Sequence, residues 1–490
     1  MKKFISYSFL YITIVLAVNL IYNDRLGNFY FLFLSFIGVV YNILVIISAR
    51  IHTKKHKLLN AGFIGVTTCF LIFNGGIIPL MYVHEFNFIA ANKLIVFLDN
   101  KMLVKFATVT AVGNILFWVG YFSKFGDYIF AIYYKGFGYK KFLSLDINIL
   151  FPKVLIVSGI FFNLILFSNG AFGRGVATAD QFSGLMRYLV AYSGYIEKLS
   201  LIGYFLLALI HFKTGKYKTW FWTVLIIQFV FALVSGARGP IIFLFILTLL
   251  PYYYVFKKIT VTMLLIGVFT MVFAFTIASE VKRFTQSFKN DSSVSVTEYT
   301  EAFLDFREES ADEFERKIYS SVYYSIMERL NTVAPGSIAI KYKDTHGIDK
   351  TDPKFVQELI TIPLFTVVPR SKILNSKFMS WGNWFRIKVL GYSDTYMSNT
   401  SFGQVAFFYM GGKWLLVIIG FFMYGTTMRF CNNILELNSG ISFLIFLAAL
   451  SAIGYISASV PGSYVTFLRN VIFIPPLFYI VIKIFNRLRL

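Results

Sequence analysis

The chain has 490 residues, 57% of them hydrophobic and only 14% charged, where an ordinary soluble domain has about 25% charged. Its formal net charge of +22 sits mostly in short segments between long apolar runs, which excludes a nucleic-acid-binding domain and fits the positive-inside rule of membrane proteins. The two cysteines, Cys69 and Cys431, lie far apart in or beside apolar runs and offer neither a disulfide framework nor a zinc knuckle.

A membrane-crossing helix needs about 20 apolar residues. Twelve such runs follow in order, at roughly 4–22, 29–49, 58–82, 103–123, 150–168, 188–212, 219–235, 240–256, 259–279, 403–429, 440–459 and 464–485. The first follows Lys2 and Lys3 like a signal peptide, but it is long for one and has no small-x-small cleavage site, so it reads as an uncleaved span. The seventh and eighth are separated only by Gly236-Ala237-Arg238-Gly239 and form a tight hairpin. Basic residues alternate between connections: Arg50, Lys54, Lys55 and Lys57; Lys124, Lys135, Lys140 and Lys141; Lys213, Lys216 and Lys218; Lys257 and Lys258; then Arg487 and Arg489. This alternation predicts both termini in the cytoplasm.

Between the ninth and tenth runs lies a polar stretch, 280–402. It holds sixteen of the 24 acidic residues and sixteen of the 46 basic ones, so it is neutral while the remainder is strongly basic. Phe314, Ile318, Val322, Ile326 and Leu330 fall four apart and predict an amphipathic helix, with Glu308, Glu309, Asp312, Glu313 and Glu315 near its start and Pro335-Gly336 ending it. Asp352-Pro353 predicts the start of a second, short helix. The expected architecture is an all-α polytopic membrane protein with about twelve transmembrane helices and one large, mainly helical extracytoplasmic loop. About nine helices fall in 1–279, the loop unit in 280–402 and about three helices in 403–490.

Several residues are candidates for chemistry. Arg238 sits among small residues just before Pro240, where a guanidinium beside unpaired helix N-terminal N–H groups suits a phosphate; the plain alternative is an arginine snorkelling from a span end. Arg469 lies about six residues, roughly 9 Å, into the last span, at a cost of about 2–3 kcal/mol unless it faces a cavity or a partner. Glu197 and Lys198 raise the same question in the sixth span. Glu280, beside Lys282 and Arg283, is either a general base at the membrane surface or ordinary interfacial charge. Glu328-Arg329 is open in the same way. His346 is the lone histidine of the polar stretch, a loop residue or a base working near neutral pH. Pro369-Arg370-Ser371-Lys372, Lys377 and Trp381-Gly382-Asn383-Trp384 make a basic and aromatic patch, suited to a diphosphate and sugar rings, although interfacial aromatics are common. There is no phosphate loop for ATP and no metal-ligand cluster, so neither a cofactor nor a metal is expected.

Three pieces in this order resemble the Wzy-type O-antigen and capsule repeat-unit polymerases. They are Ser235-Gly236-Ala237-Arg238-Gly239-Pro240, Ile362-Pro363 through Val368-Pro369-Arg370 with Lys377 after it, and Ser401-Phe402-Gly403-Gln404 through Phe408-Tyr409-Met410-Gly411-Gly412. The Arg-x10-Gly pattern of some members is not matched: Arg174 to Gly184 has nine residues between, and Arg370 to Gly382 eleven. The resemblance implies a membrane glycosyltransferase of the bacterial cytoplasmic (inner) membrane. It would join undecaprenyl-diphosphate-linked glycans, donor and acceptor alike, on the outer face of the bilayer, alongside a chain-length regulator and a flippase. On that basis Glu280 or His346 is the catalytic base, and Arg238, Arg370, Arg283, Arg329, Lys377 and Arg469 bind substrate. The alternatives are an O-antigen ligase-like transferase and a non-enzymatic flippase or transporter for the same lipid.

Overall fold

The computed structural model describes residues 2–22, 27–52, 99–136, 147–169, 183–235, 238–256, 333–346, 403–437 and 460–487, together with parts of 260–273, 384–390 and 439–448. Among these residues the regular structure is helical, with no strand. Five helices are long and apolar enough to cross a membrane: those containing Lys3–Leu20, Phe29–Ser48, Asn100–Phe122, Leu150–Ser168 and Gly403–Glu436. Their outward faces stay apolar, with Phe9, Leu16, Phe36, Phe161 and Ile418 all exposed, as expected of a surface solvated by lipid rather than water.

The chain divides into two compact units. The first comprises residues 1–141 and 329–477. It contains α1 (Lys2–Leu20), α2 (Gly27–His52), α3 (Asn100–Phe122), α4 (Lys124–Gly136), α9 (Val333–His346), α10 (Gly403–Glu436) and α11 (Val460–Ile472). Helix α3 is its centre. One side meets α1 and α2 through polar contacts between apolar helices: the Trp118 indole donates to Asn42 Oδ1 at 2.9 Å, and Asn19 Nδ2 donates to Thr108 Oγ1 at 3.0 Å. Such bonds hold helices together where lipid removes the hydrophobic drive for association. The other side packs on α10 through small residues. A side chain at Gly120 would strike the Phe422 carbonyl, and one at Gly425 would strike the Phe117 carbonyl.

Helix α10 is not the straight span that its composition predicts. The backbone leaves helical geometry at Gly412 (φ −175°, ψ 29°) and Lys413 (φ 49°, ψ −135°). The limb 403–411 doubles back along the limb 414–436, so that the Phe408 and Phe421 rings meet at 5.2 Å and Gly420 lies under Phe408. The long limb, roughly 34 Å at 1.5 Å per residue, alone has the reach to span a bilayer. The last expected span, 464–485, is also divided. Helix α11 stops at Phe473, and α12 (Ile474–Arg487) restarts it, because Pro475 and Pro476 bring no N–H to a continuing helix and bar the preceding residues from it.

The second unit comprises residues 142–328 and 478–490. It contains α5 (Leu150–Ser168), α6 (Gly184–Thr214), α7 (Lys218–Val234), α8 (Arg238–Phe256) and most of α12. Helices α5 and α6 pack antiparallel at Gly159 against Ser200 and Gly203 against Ile156. The Tyr204 and Thr248 hydroxyls meet at 2.7 Å between α6 and α8. The expected α7–α8 hairpin is present, with Pro240 in the first turn of α8, where its missing N–H costs nothing.

Of the polar stretch 280–402, only α9 and part of 384–390 are described. Pro335-Gly336 lies in the first turn of α9, where proline is tolerated. The amphipathic helix expected from Phe314 and the short helix expected after Asp352 lie outside the described residues.

Candidate functional site

Helix α9 carries its chemistry at its C-terminal end. Residues Val333 to Ile340 are buried within the first unit, and this apolar half anchors a polar last turn. The last turn has two faces, because residues two apart on a helix point about 200° apart while residues four apart share a side.

One face is charged. Asp344 pairs with Lys105, near the start of α3, and accepts a hydrogen bond of 2.8 Å from the Tyr409 hydroxyl of the short α10 limb. The Lys105 ammonium also lies 5.4 Å from the centre of the Tyr409 ring, within range of a cation–π attraction. Three segments far apart in sequence therefore meet on one carboxylate. Next to it Lys341 pairs at 3.1 Å with Asp99, whose other oxygen caps α3 by accepting from the Met102 N–H at 2.7 Å. Two cations and two carboxylates thus border a helix start.

The other face is aromatic. The Tyr342 and His346 rings stack at 4.2 Å and 20°, and the edge of Trp384 approaches Tyr342 at 6.2 Å and 89°. His346 Nδ1 lies 3.0 Å from the Tyr342 carbonyl oxygen. The Thr345 hydroxyl stands 2.9 Å from the same nitrogen, so polar groups of α9 itself hold the ring at Nδ1. His346 is exposed. An imidazole held at one nitrogen on an aromatic shelf is suited to a sugar ring and one of its hydroxyls.

The structure brings together two features that lie apart in sequence, His346 and Trp384 of the aromatic patch. Arg469 lies half-buried on α11, and Arg238 opens α8 in the second unit, described in its backbone only. Glu280, Arg283, Arg329, Arg370 and Lys377 lie outside the described residues. Of the intramembrane pair, Lys198 is exposed, and the Glu197 side chain is outside the description. Sequence reasoning missed Lys105, Asp344, Asp99 and Lys341. The available signal was Lys105, an ionisable residue just inside an apolar run. Tyr409 belongs to the third sequence piece without having been singled out. Among the described residues no group of three His, Cys, Asp or Glu is placed to hold a metal ion.

A second polar cluster closes the far end of the α3–α10 pair. Arg429 Nε donates to Asp127 Oδ1 at 2.7 Å, and Asn433 Nδ2 donates to the same oxygen at 2.8 Å. Partial burial disfavours the Asp127 carboxylate, but the two hydrogen bonds and the Arg429 charge outweigh it, so its pKa lies below the ordinary value. Burial raises the Tyr133 hydroxyl's pKa, and Tyr133 donates to the Val471 carbonyl at 2.7 Å. This cluster ties α4, α10 and α11 together and reads as a clasp.

No protein-family model matches the chain, and no curated protein or solved structure matches it.

Proposed function

We propose that the chain is an integral-membrane glycosyltransferase that polymerises lipid-diphosphate-linked oligosaccharide units on the outer face of the bacterial cytoplasmic membrane. The topology in this reading has about twelve spans, both termini inside and the 280–402 stretch outside. The acceptor hydroxyl attacks the anomeric carbon of the donor glycan. The bond from that carbon to the diphosphate oxygen breaks, and the lipid diphosphate leaves with the negative charge. The hydroxyl proton passes to a base, His346 or Glu280. Arg238, Arg370, Arg283, Arg329, Lys377 and Arg469 are the cations available to the diphosphate; positioned cations stabilise such a departing charge.

One observation carries most of the weight. Tyr409, from the sequence piece that enters the membrane, bonds to Asp344 on the helix whose end presents His346 on its aromatic shelf. The polar stretch and the membrane-embedded limb thereby share one polar last turn, as a lid over a membrane-face site requires. The test is purified protein with a synthetic lipid-diphosphate repeat unit, without nucleotide sugar or metal. A ladder of products is expected, and its absence with well-folded protein rejects the reading.

A second reading, a flippase for the same lipid, is favoured by one feature. The limb 403–411 begins buried, halfway along its neighbouring limb, like the discontinuous helices that line transporter sites. Loss of the gene separates the two. Unpolymerised units at the surface support the polymerase, whereas precursor trapped inside supports the flippase.

A further inference from the structure

The second unit gathers positive charge at one end. Helices α5 and α6 run antiparallel, so the start of α5 lies beside the turn that joins α6 to α7. Lys153 of α5 lies 5.0 Å from the centre of the Trp220 ring and 5.7 Å from that of Tyr217, within cation–π range of both. Helix α12 brings its last turns to the same place, where Phe485 meets Phe151 with ring centres 5.4 Å apart. Lys153, Lys213, Lys216, Lys218, Lys483 and Arg487 therefore share this end, all exposed except the half-buried Lys153. Among the described residues of this unit the acid is Glu197, sixteen positions before Lys213 and roughly 24 Å from it along α6. The cluster thus has no carboxylate of its own among those residues, and such a field of one sign attracts an anion from outside.

The turn that carries the cluster is closely built. Gly215 stands at φ 70° and Tyr217 at φ 64°, so the chain reverses within a few residues. The Thr214 hydroxyl accepts from the Lys216 N–H at 3.2 Å, and His211 Nδ1 lies 2.8 Å from the Lys216 carbonyl oxygen. The Tyr217 and Trp220 rings hold the Lys153 ammonium in place and neutralise none of its charge.

What flanks the cluster is apolar. On α5, Leu150, Val154, Val157, Phe161 and Leu164 are all exposed, at spacings of four and three that keep them on one side of the helix. This stripe starts at the charged end and runs roughly 21 Å. On α7, Trp222, Ile226 and Val230 repeat the pattern. An apolar stripe that ends in cations fits a molecule with an anionic head and long apolar tails. A second copy of this chain in the same membrane orientation, packed stripe to stripe, sets two cationic ends side by side, and like charges disfavour it.

We propose that this end of the second unit binds an anionic phospholipid, with its phosphate among Lys153, Lys216 and Lys218 and its acyl chains along the α5 and α7 stripes. The site goes beyond the proposed function, since a transferase and a flippase accommodate it equally.

The full chain in detergent is titrated with dioctanoyl phosphatidylglycerol, with phosphatidylcholine of the same chain length and with inorganic phosphate, and binding is read by thermophoresis. Phosphatidylglycerol is expected to bind about tenfold or more tightly than phosphatidylcholine, which carries the same phosphate without net charge. Lys153→Gln and Lys216→Gln are each expected to weaken phosphatidylglycerol about fivefold and to leave phosphatidylcholine unchanged. Lys135→Gln, which removes an exposed cation of α4 in the first unit, is expected to change neither. Equal affinity for the two lipids overturns the proposal. So does an equal loss in Lys135→Gln, which would assign the effect to the charge of the whole protein. Displacement of the lipid by inorganic phosphate at matched concentration would assign a site for a free anion and overturn it as well. If Lys153→Gln fails to fold, Lys216→Gln carries the test.

Discussion

The Tyr409 hydroxyl donates to Asp344 Oδ1 at 2.8 Å while Lys105 pairs with the other oxygen of the same carboxylate. Asp344→Asn keeps the shape but removes the charge that Lys105 answers. Both side chains are about one third exposed, so solvent screens the pair, and the expected loss is about 1 kcal/mol. A double-mutant cycle with Lys105→Met, read by unfolding in detergent, should show coupling of that order. Additive single effects would mean that the pair does not fasten α9 to α3.

His346 is held at Nδ1 by the Tyr342 carbonyl and the Thr345 hydroxyl. His346→Gln should cut glycan transfer by about 10²-fold or more, as removal of a general base does, with membrane protein levels unchanged. If transfer persists while Glu280→Gln abolishes it, Glu280 is the base.

Lys413 holds φ at 49° where the α10 limbs fold back, a conformation that costs a residue with a Cβ about 1 kcal/mol or more. Lys413→Gly should raise the unfolding midpoint by a corresponding amount, and Lys413→Pro should lower it. An unchanged midpoint in the glycine variant would remove the fold-back from this position.

Gly425 faces the Phe117 carbonyl with no room for a side chain. Gly425→Val should cost about 1–3 kcal/mol or more through overpacking. Gly136, with nothing within 4 Å of an added Cβ, is the contrast. Gly136→Ala should be neutral or stabilising by about 0.4–1 kcal/mol, since it mainly restricts the unfolded chain. Equal effects at the two sites would contradict the close α3–α10 contact.

The Asp127 carboxyl is held below its ordinary pKa by Arg429 and Asn433. A depressed carboxylate contributes stability that is present above the unfolded value, about 3.9, and is lost as pH falls through the folded one. Acid unfolding should therefore show a limb below about pH 4 that Asp127→Asn flattens. A wild-type acid limb unchanged in that variant would place the titrating group elsewhere.

The amino-acid sequence determined where helices form. The run at 150–168 is α5 to the residue, and α7 ends at Val234 and α8 begins at Arg238, as expected of two spans with a short connection. An apolar run must bond its own backbone inside lipid, so its length alone commits it to a helix. Pro335 lies in the first turn of α9, a place that suits a proline. What covers each helix was not readable. Lys105, Asp344 and Tyr409 are 239 and 65 residues apart along the chain, and periodicity assigns a side chain to a face without naming the partner across it. Composition could not separate a straight span from the folded-back α10, because apolar residues run on both sides of Gly412 and Lys413. Only tertiary packing, with Gly425 admitting α3 and Gly420 admitting Phe408 of the short limb, turned one apolar run into two limbs and buried the Gln404 end.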